Sequence, residues 1–453
     1  MSEQSEQKPA ARTELERFGD VTRVRLETPD LSGALRGKYL SADKVRSGSA
    51  LPFPEVYLAA TVDDDIFEAS ISAEDTGFGD MLLAPDWSTA RAMPGEPGVV
   101  AVLGDGLTKD GERHPMHPRS VLRHVVDRAA SHGYEGVFGV EYEFSIFRSD
   151  EVSDEARRTG NLSAMTRISR SNQGYSLSRW ADFGDFAADL DASARAYGVA
   201  IEMVMTEVGN HHLEAALAPA PALQAADMAA RFKILLRDVA RRHGFIVSFM
   251  AKVNMAEQGT SGHLHQSLWQ DGKNVFWGGR PGTLSEAGRQ YAAGALRAAH
   301  ECTAFFAPYP NSYRRYTPGY FAPVTLDWGW DNRIGALRAI TLSESSARFE
   351  NRRGGSDFQP YLAIAASLAG GVDGILTSAE LNEPGTPVPG RELPQDLGTA
   401  AALLRESEFA RDWLGADLVE LFAQSREHEV RAYADLAAAN IPAWEILRYF
   451  ENV

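Results

Sequence analysis

Cysteine is nearly absent from this sequence, which has one, Cys302, among 453 residues. A single cysteine excludes an intramolecular disulfide and fits a reducing compartment. Long apolar runs are also missing: no stretch is long and apolar enough to span a bilayer. The polar first residues lack the apolar core of a signal peptide. These absences predict a soluble, cytoplasmic protein in which Cys302 is a small core residue.

Positive charge is scarce as well. The sequence has 45 lysines and arginines against 62 aspartates and glutamates, a formal net charge of -17. Such an acidic chain repels phosphate backbones and anionic lipids, so we expect neither a nucleic-acid partner nor a membrane partner. The rest of the composition is ordinary for a globular protein, with 44% hydrophobic and 24% charged residues. The length indicates two unequal domains, or one large domain with additions.

The order of predicted elements divides the chain into three parts. Residues 1–12 are polar and are expected to be a disordered tail, and residues 13–112 carry strand signals with few long helices. In residues 113–453 strands and helices recur and some strands are half polar, which favours an α+β sheet wrapped by helices over a doubly wound sheet. A helix is predicted over 221–243 with proline at its start, and residues 425–429 are predicted to be a solvated helix face.

The most informative segment is residues 259–269, Gly-Thr-Ser-Gly-His-Leu-His-Gln-Ser-Leu-Trp. Its alternation predicts a strand with His263, His265 and Ser267 on one face. Neutral imidazole is a common metal ligand, and a second imidazole can donate a hydrogen bond to a phosphate oxygen. The segment is therefore a candidate metal and phosphate site, while a half-buried strand with two hydrogen-bonded histidines is the alternative.

Five glutamates lie within strand or turn signals. Glu141 and Glu143 are two residues apart in an apolar run, so they share one strand face and would repel each other unless a cation lies between them. Glu207 and Glu214 flank a Gly-Asn turn that could return both to one site on paired strands. Glu350 has an arginine two residues away on each side. Surface strands often carry such pairs, so each is weak evidence by itself.

Arginines accompany these carboxylates. Arg348 and Arg352 flank Glu350, and Arg315, Arg333 and Arg338 lie near turn residues. Carboxylates with one imidazole and no thiolate suit Mg²⁺ or Mn²⁺ rather than Zn²⁺. Arginines that converge on carboxylate-bound cations imply an anionic ligand, such as a nucleotide phosphate or a carboxylate substrate. Together these residues predict an ATP-dependent enzyme with two or more Mg²⁺.

These segments, in this order, resemble the glutamine synthetase family, and the resemblance covers nearly the whole chain. Individually the matches are weak to moderate, but six in register are specific. The matching segments are Glu-Tyr-Glu at 141–143, Glu207 with Glu214, the strand 263–268, Asn-Ser-Tyr-Arg-Arg at 311–315 with Pro-Gly-Tyr at 318–320, Asp-Asn-Arg at 331–333, and Arg-Phe-Glu-Asn-Arg at 348–352.

The resemblance implies a role for each matching residue. The ligands of one metal are Glu143, Glu207 and Glu214, and those of the second are Glu141, His263 and Glu350. The positions that resemble ATP-binding ones are His265, Ser267, Arg338 and Arg348. Those that resemble glutamate-holding ones are Gly259, Arg315 and Arg352, and Arg333 resembles the residue that steadies the transferring phosphoryl group.

The resemblance also implies a fold and an assembly. The expected fold is a small N-terminal β-grasp-like domain followed by a large α/β catalytic domain. Active sites would form between neighbouring subunits of a homo-oligomeric ring, usually two stacked hexamers, with the N-terminal domain closing the adjacent subunit's site. ATP would phosphorylate the γ-carboxylate of glutamate, and an amine would then displace phosphate, with cations and arginines stabilising the developing charge.

Several positions depart from the family pattern on the amine side. Ammonia-using members have a glutamate after Pro-Gly-Tyr that holds and deprotonates ammonium, and this sequence has Phe321 there. His211 and His212 replace the usual Gly-Gln, and Gln258 replaces the usual Asn. Asp75 and Glu68 are alternatives for the family's ammonium-binding Asp. The adenylylated tyrosine loop of some bacterial members has no evident counterpart in residues 381–393.

The metal and phosphate positions are therefore intact, while the amine positions are changed. This combination resembles the family's glutamate–amine ligases and predicts an organic primary amine as the acceptor, with Phe321 in its binding site. A plain ammonia-using glutamine synthetase is the first alternative. A catalytically silent scaffold is the second, but a silent protein would be free to lose metal ligands and none of the six is lost.

Overall fold

The fold is organised by two β-sheets in the part of the chain that the computed structural model describes, residues 12–48, 50–434, 441 and 443–453. The smaller sheet lies near the N terminus. Its elements are β1 (Arg23–Pro29), β2 (Leu35–Ser41), α1 (Ala42–Arg46), β3 (Pro52–Pro54), β4 (Asp80–Ala92) and β5 (Val99–Leu107), with 3₁₀ turns at Glu55–Ala59 and Glu74–Thr76.

The smaller sheet has the order β2-β1-β5-β4-β3. It is mixed, because β1 and β5 run parallel while the other neighbours are antiparallel. Val24 and Leu26 alternate with polar residues along β1 and are buried, as a strand with one covered face requires. This sheet fits the β-grasp-like domain expected from the sequence.

The larger sheet follows from residue 135. Its strands are β6 (Glu135–Arg148), β7 (Ile201–Thr206), β8 (His212–Leu217), β9 (Ala220–Pro221), β10 (Phe245–Ser248), β11 (Gly262–Gln270), β12 (Lys273–Asn274), β13 (Trp328–Trp330), β14 (Leu337–Ile340) and β15 (Arg348–Asn351). The main order is β13-β14-β15-β11-β6-β8-β7, and the pairs from β14 to β7 are antiparallel. The α+β class predicted from half-polar strands is confirmed.

Helices accompany the larger sheet. They are α2 (Pro118–Ser131), α3 (Glu151–Thr159), α4 (Phe186–Tyr197), α5 (Ala222–Arg242), α6 (Glu286–Glu301), α7 (Thr303–Phe306), α8 (Pro360–Leu376), α9 (Leu397–Glu406), α10 (Glu408–Leu414), α11 (Ala416–Tyr433) and α12 (Ala443–Tyr449), with 3₁₀ turns at Leu162–Ala164, Leu177–Phe183 and Pro310–Arg315. None of the helices in the described ranges is long and apolar enough to cross a membrane.

One face of the larger sheet is covered by helices and the other is open, and the side chains of β6 alternate between the two faces. Tyr142 and Phe144 are fully buried and pack against Phe232 of α5, with ring centroids 6.0 and 6.4 Å apart. Successive side chains of a strand alternate between its faces. Glu141 and Glu143 therefore point to the opposite face, where the helices leave a cavity.

Helices α6 and α8 pack closely behind this sheet. A methyl group built on Gly294 of α6 would lie 2.0 Å from the carbonyl oxygen of Gly370 in α8. Only glycine permits so close an approach of two backbones. The apolar α8, which is buried from Pro360 to Val372, therefore forms a firm layer under the sheet.

The two sheets are joined by buried ion pairs centred on Arg119 at the start of α2. Its guanidinium is 2.7 Å from Asp86 and also binds Asp105, and both aspartates belong to the smaller sheet. It donates to Asp227 of α5 at 2.9 Å. A buried charge needs such partners, so the N-terminal sheet is held firmly against the helices of the same chain.

The boundaries of the predicted parts can be compared with these elements. The smaller sheet ends at Leu107 and α2 begins at Pro118, so the division predicted at 112/113 falls in the connection between them and stays a prediction. Residues 1–11 of the predicted tail lie outside the described residues. Arg12, the last residue of the predicted tail, lies in a helical turn with residues 13–16, and the tail stays a prediction.

Two local predictions are wrong. Pro221 precedes α5 as its N-cap rather than beginning it. Residues 425–429 are not a solvated face, because Arg426 and Glu429 are 2% and 1% exposed. Arg426 donates to the Pro308 carbonyl at 2.7 Å, and Glu429 pairs with Arg448 at 3.1 Å. These partners are distant in sequence, so a local charge pattern could not reveal them.

Candidate active site

A cavity of about 900 Å³ opens on the helix-free face of the larger sheet. The site residues inferred from the sequence all line it, with the exception of Arg315. They come from strands β6, β8, β11, β14 and β15 and from the segments that follow β7 and precede β14. Residues as far apart in sequence as Glu141 and Arg352 are thus brought to one place.

Three carboxylates form the first candidate cation site. Single oxygens of Glu143, Glu207 and Glu214 lie within 4.8 Å of one another. Glu143 and Glu214 face each other across the β6–β8 pair, so the strand register sets their separation. Glu207 follows β7 and is returned to them by the turn at Gly209. The Glu143 carboxylate also accepts a hydrogen bond from the Ser261 amide at 2.7 Å.

Crowding of these carboxylates perturbs their acidity. Burial, with the charge of Glu207 as the next cause, raises the pKa of Glu143 to about 7. Burial and the charges of Glu141 and Glu143 raise the pKa of Glu214 to about 10. Burial and the neighbours' negative charge both oppose ionisation of these carboxylates. A positive charge placed between them would stabilise their ionised form.

The second candidate cation site centres on Glu141 and Glu350. Ligand atoms of Glu141, His265 and Glu350 lie within 4.8 Å of one another. The imidazole inferred from the family pattern, His263, is also adjacent, with its Nδ1 2.7 Å from Glu141 and 3.4 Å from Glu350. Both histidines reach the site because β11 places alternate residues on one face.

Burial and nearby charge keep His263 neutral at physiological pH. Burial, with Arg352 as the next cause, lowers its pKa to about 4. Burial alone would raise the pKa of Glu350, but His263 and Arg352 lower it to about 2. A neutral imidazole beside two ionised carboxylates is a donor set that can hold a divalent cation.

The donor chemistry of both sites fits hard divalent cations. Five carboxylates and an imidazole converge without a thiolate among the described residues of the cavity. Mg²⁺ and Mn²⁺ prefer such oxygen-rich sets, whereas structural Zn²⁺ sites are usually rich in cysteine or histidine. Burial and mutual repulsion, which raise the pKa of Glu143 and Glu214, would both be offset by a bound cation.

Three arginines surround the second site. Arg338 donates to Glu350 at 2.7 Å and to Asp331 at 2.8 Å, and Arg352 also binds the Glu350 carboxylate. Arg348 points its Nε at His265 Nδ1, 3.3 Å away. Asp331 is a residue that the sequence reasoning missed. It lies on the turn between β13 and β14 with φ of 48°, and its carboxylate aims Arg338 into the cavity.

Arg315 is placed differently from its predicted role as a direct glutamate contact. Its side chain is 2% exposed and does not line the cavity. Its guanidinium donates to the backbone carbonyls of Arg352 and Arg353 at 3.1 and 3.2 Å, and to the hydroxyl of Ser261 at 3.0 Å. Those bonds use three of the five N–H donors of its guanidinium. Arg315 therefore braces the wall behind the site in this structure, and its contact with glutamate stays a prediction.

Strand register divides the cavity into two ends on either side of the cation sites. Ser267 and Trp269 pair with the start of β6, and Arg348 lies beside them, so this end contains the residues predicted to bind ATP. The opposite end contains Gly259 and Phe321. At Gly259 any side chain would lie 2.5 Å from the carbonyl of Ala251, which explains why only glycine fits there.

Three exposed aromatic or apolar side chains line the cavity outside the strands. Tyr175, Val208 and Phe321 line the cavity and are 68%, 48% and 57% exposed. Tyr175 and Phe321 have φ of 54° and 55°, a conformation that non-glycine residues adopt infrequently. Large apolar side chains held in such conformations and left open to solvent form a surface that a ligand can cover.

The other amine-side departures lie around this end. Gln258 lines the cavity, whereas His211 and His212 are buried behind the Glu207 turn with ring centroids 4.1 Å apart. Burial lowers the pKa of His212 to about 3, so it is uncharged. Glu68 and Asp75 are exposed on the N-terminal part and do not line this cavity.

Comparisons with known proteins agree with the site. Residues 115–449 match the family described as the glutamine synthetase catalytic domain. The chain is 34% identical over 447 residues to type-1 glutamine synthetase 2 of Dictyostelium discoideum, covering 95% of this chain and 84% of that relative. It is 31% identical over 447 residues to the glutamate–isopropylamine ligase of a Pseudomonas species, covering 96% of each chain.

A solved structure of a GmaS/ADP complex has the same fold. It superposes with a TM-score of 0.80 at 27% identity and covers 97% of this chain and 98% of that chain. Fold and sequence thus agree over nearly the whole length. The chain belongs to the glutamine synthetase family of ATP-dependent ligases.

Proposed function

We propose that this enzyme joins the γ-carboxylate of glutamate to an organic primary amine through a γ-glutamyl phosphate intermediate. The observation that carries the amine assignment is Phe321, an exposed aromatic ring at the end of the cavity opposite the phosphate-facing residues. In the ammonia-using pattern this position is a glutamate. Similarity to a glutamate–isopropylamine ligase supports the same assignment.

The proposed reaction has two steps. A γ-carboxylate oxygen attacks the terminal phosphorus of ATP, forming the acyl phosphate and releasing ADP. The nitrogen of the free amine then attacks the acyl carbon, the C–O bond to phosphate breaks, and inorganic phosphate leaves with its electron pair. The attacking nitrogen also loses one proton, which gives a neutral amide.

Two divalent cations would be held by the chain's own carboxylates and imidazole. Glu143, Glu207 and Glu214 would hold one, and Glu141, Glu350 and His263 the other, with His265 adjacent. When bound, Mg²⁺ or Mn²⁺ would neutralise charge on the phosphoryl oxygens. The protein's contribution is to set five of the six ligands on paired strands, and Glu207 on the turn that follows β7, before the substrates arrive.

The nucleotide would occupy the end lined by Ser267 and Trp269. His265, Ser267, Arg338 and Arg348 supply imidazole, hydroxyl and guanidinium donors to its phosphates. Asp331 keeps Arg338 aimed at the cations through a 2.8 Å hydrogen bond. Glutamate would bind beside Gly259 and Arg352, while the exposed Arg333 would steady the phosphoryl group as charge develops.

Energetics favour an organic amine at Phe321. Burying an alkyl group contributes about 0.8 kcal/mol per CH₂, a contribution that ammonia cannot make. An aromatic face adds about 0.5–2 kcal/mol of attraction for a cationic amine. Three methylenes would give about 2.4 kcal/mol, more than a tenfold preference over ammonia even after losses to ordering.

Ammonia use is the second candidate, because one of the similar relatives is itself a glutamine synthetase. A different group would then have to take the place of the missing glutamate. Glu207, which precedes Val208, is one carboxylate that lines the cavity. Its oxygens, however, are proposed ligands of the first cation site. The aromatic surface favours the organic amine.

Assembly and location are part of the same proposal. We infer a homo-oligomeric ring of two stacked hexamers in the cytoplasm, with active sites shared between neighbouring subunits. The firm attachment of the N-terminal sheet through Arg119 supports this, because that sheet could then act on a neighbour as a rigid unit. Light scattering should give a ring-sized complex, and an active monomer in dilute solution would contradict it.

The amine proposal is tested by product analysis. Purified protein is incubated with ATP, Mg²⁺ and glutamate, and phosphate release is measured with ammonium, ethylamine, ethanolamine, putrescine and an aromatic amine. Mass spectrometry then identifies each amide. We expect γ-glutamylamides of organic amines and little glutamine; ammonium as the best acceptor would contradict the assignment.

A further inference from the structure

Arg179 is a buried arginine whose guanidinium donates hydrogen bonds to backbone carbonyls near the first cation site. It lies in the 3₁₀ turn Leu177–Phe183 and is 2% exposed. One amino group donates to the carbonyl of Gln173 at 2.5 Å and to that of Glu207 at 2.8 Å. The other donates to the carbonyl of Gly209 at 2.8 Å.

These carbonyls belong to two segments that both reach the cavity. Glu207 and Gly209 form the turn between β7 and β8, and Gln173 precedes the cavity residue Tyr175. The segments are also joined directly, because the Tyr175 amide donates to Thr206 at 2.6 Å and the Gly209 amide donates to Asn172 at 3.1 Å. Arg179 therefore ties the turn that carries Glu207 to the segment that carries Tyr175.

Glu207 needs such a support more than its two partner ligands do. Glu143 and Glu214 lie opposite each other on β6 and β8, where the strand register holds both. Glu207 lies just beyond β7, and its amide makes the terminal backbone bond to His212 at 3.1 Å. A residue at the end of a hairpin can swing away from two like-charged neighbours unless its backbone is held.

A guanidinium suits this task. Its planar fork donates several hydrogen bonds at once, and it stays charged when buried. Burial lowers the pKa of Arg179, while Asp182 and Glu207 oppose that shift. Its Nε has no hydrogen-bond partner among the described residues, so the buried charge depends on the three carbonyls and lies close to the anionic cluster.

We propose that Arg179 is a positioning residue that holds Glu207 in the geometry of the first cation site. It acts through the backbone of the Glu207 turn and does not line the cavity. The inference rests on the proposed pair of cation sites. Loss of a group that orients a metal ligand typically weakens metal affinity about 10–100-fold, and we expect that range at the first site only.

The test measures Mn²⁺ binding by electron paramagnetic resonance on the assembled, nucleotide-free protein. Glu350→Ala removes a ligand of the second site and Glu214→Ala removes one of the first, so each background reports on one site. Arg179→Met should weaken Mn²⁺ binding about 10–100-fold in the Glu350→Ala background and leave it unchanged in the Glu214→Ala background. Arg179→Lys, which retains donors, should give a smaller loss.

Arg426→Met is the matched control. Arg426 is equally buried and also donates to a backbone carbonyl, that of Pro308 at 2.7 Å, but it lies on α11 and its carbonyl partner is not on a segment with a proposed cation ligand. It should leave both Mn²⁺ affinities unchanged. If Arg179→Met does not fold, Arg179→Lys in the same two backgrounds decides the question.

The outcomes separate the inference from the proposal beneath it. Absence of Mn²⁺ binding by the unmutated protein would overturn the proposed cation sites. Mn²⁺ binding that is unchanged by Arg179→Met or Arg179→Lys, or equal losses in both backgrounds, would overturn the positioning role of Arg179 while leaving the cation sites in place. Loss confined to the first site supports it.

Discussion

The two ends of the active-site cavity are built in different ways. The proposed cation sites lie mostly on paired strands, where Glu143 faces Glu214 across a ladder and Glu141 faces His263 across another. The proposed amine end is made of connecting segments, in which Tyr175 and Phe321 have positive φ and are exposed. Strand pairing preserves a demanding arrangement of charges, whereas connecting segments can change their side chains and so change the acceptor.

The largest expected effect on activity comes from removing a proposed cation ligand that lies on a strand. Glu350→Ala should reduce phosphate release by more than about 100-fold, because losing even a residue that supports a ligand costs 10–100-fold. Steady-state turnover over a range of Mg²⁺ concentrations measures it. Glu135→Ala, on the same sheet but outside the cavity, is the control; wild-type turnover of Glu350→Ala at limiting Mg²⁺ would refute the ligand assignment.

Substitution of Phe321, in the proposed amine end, should alter the selectivity between organic amines and ammonium more than the turnover rate. Phe321→Glu removes the aromatic face and adds a carboxylate, so kcat/KM for ethylamine should fall about 2–30-fold, the equivalent of 0.5–2 kcal/mol. The value for ammonium should rise. Phe321→Leu keeps an apolar surface and should give a smaller loss without a gain for ammonium; identical selectivity in all three proteins would remove Phe321 from the site.

A separate effect, on stability rather than on activity, is expected at the proposed cation sites alone. The pKa of Glu214 is raised to about 10 by burial and then by neighbouring carboxylates, above its unfolded value of about 4.3. A raised pKa gives stability that is full at low pH and lost as pH rises. In EDTA, Glu214→Gln should therefore gain on the wild type by up to about 1.4 kcal/mol per pH unit between pH 5 and 10.

Urea unfolding of both proteins at several pH values measures this difference. Other titrating groups, such as Lys252 and His263, are common to the two proteins and largely cancel in the comparison. Saturating Mg²⁺ should reverse the order, because the wild-type carboxylate would then bind a cation. A difference in unfolding free energy that does not vary with pH would show that Glu214 is not protonated in the metal-free protein.

The same contrast explains what could be predicted from sequence. Period-two alternation placed Glu141 with Glu143 and His263 with His265, because a strand alternates its faces wherever it lies. The α+β class followed from half-polar strands. The choice between His263 and His265 as the nearer imidazole could not follow, since both share one face and only packing sets their distances from Glu141 and Glu350.

Residues outside the strands escaped such reasoning. Arg315 resembles a glutamate-holding position, yet its guanidinium donates to the carbonyls of Arg352 and Arg353. No sequence pattern specifies such a contact. Tyr175 and Asp331 lie in turns with positive φ, where periodicity gives no signal. The one available hint for Asp331 was its residue type, because aspartate tolerates a positive φ better than most residues.

The central claim is that an intact cation half serves an amine other than ammonia, and a competition assay tests it most directly. Ammonium and propylamine are supplied together at matched concentrations of free base, with ATP, Mg²⁺ and limiting glutamate, and the two amide products are quantified from one mixture. The predicted result is more than about tenfold more γ-glutamylpropylamide than glutamine. Glutamine as the main product would contradict the claim.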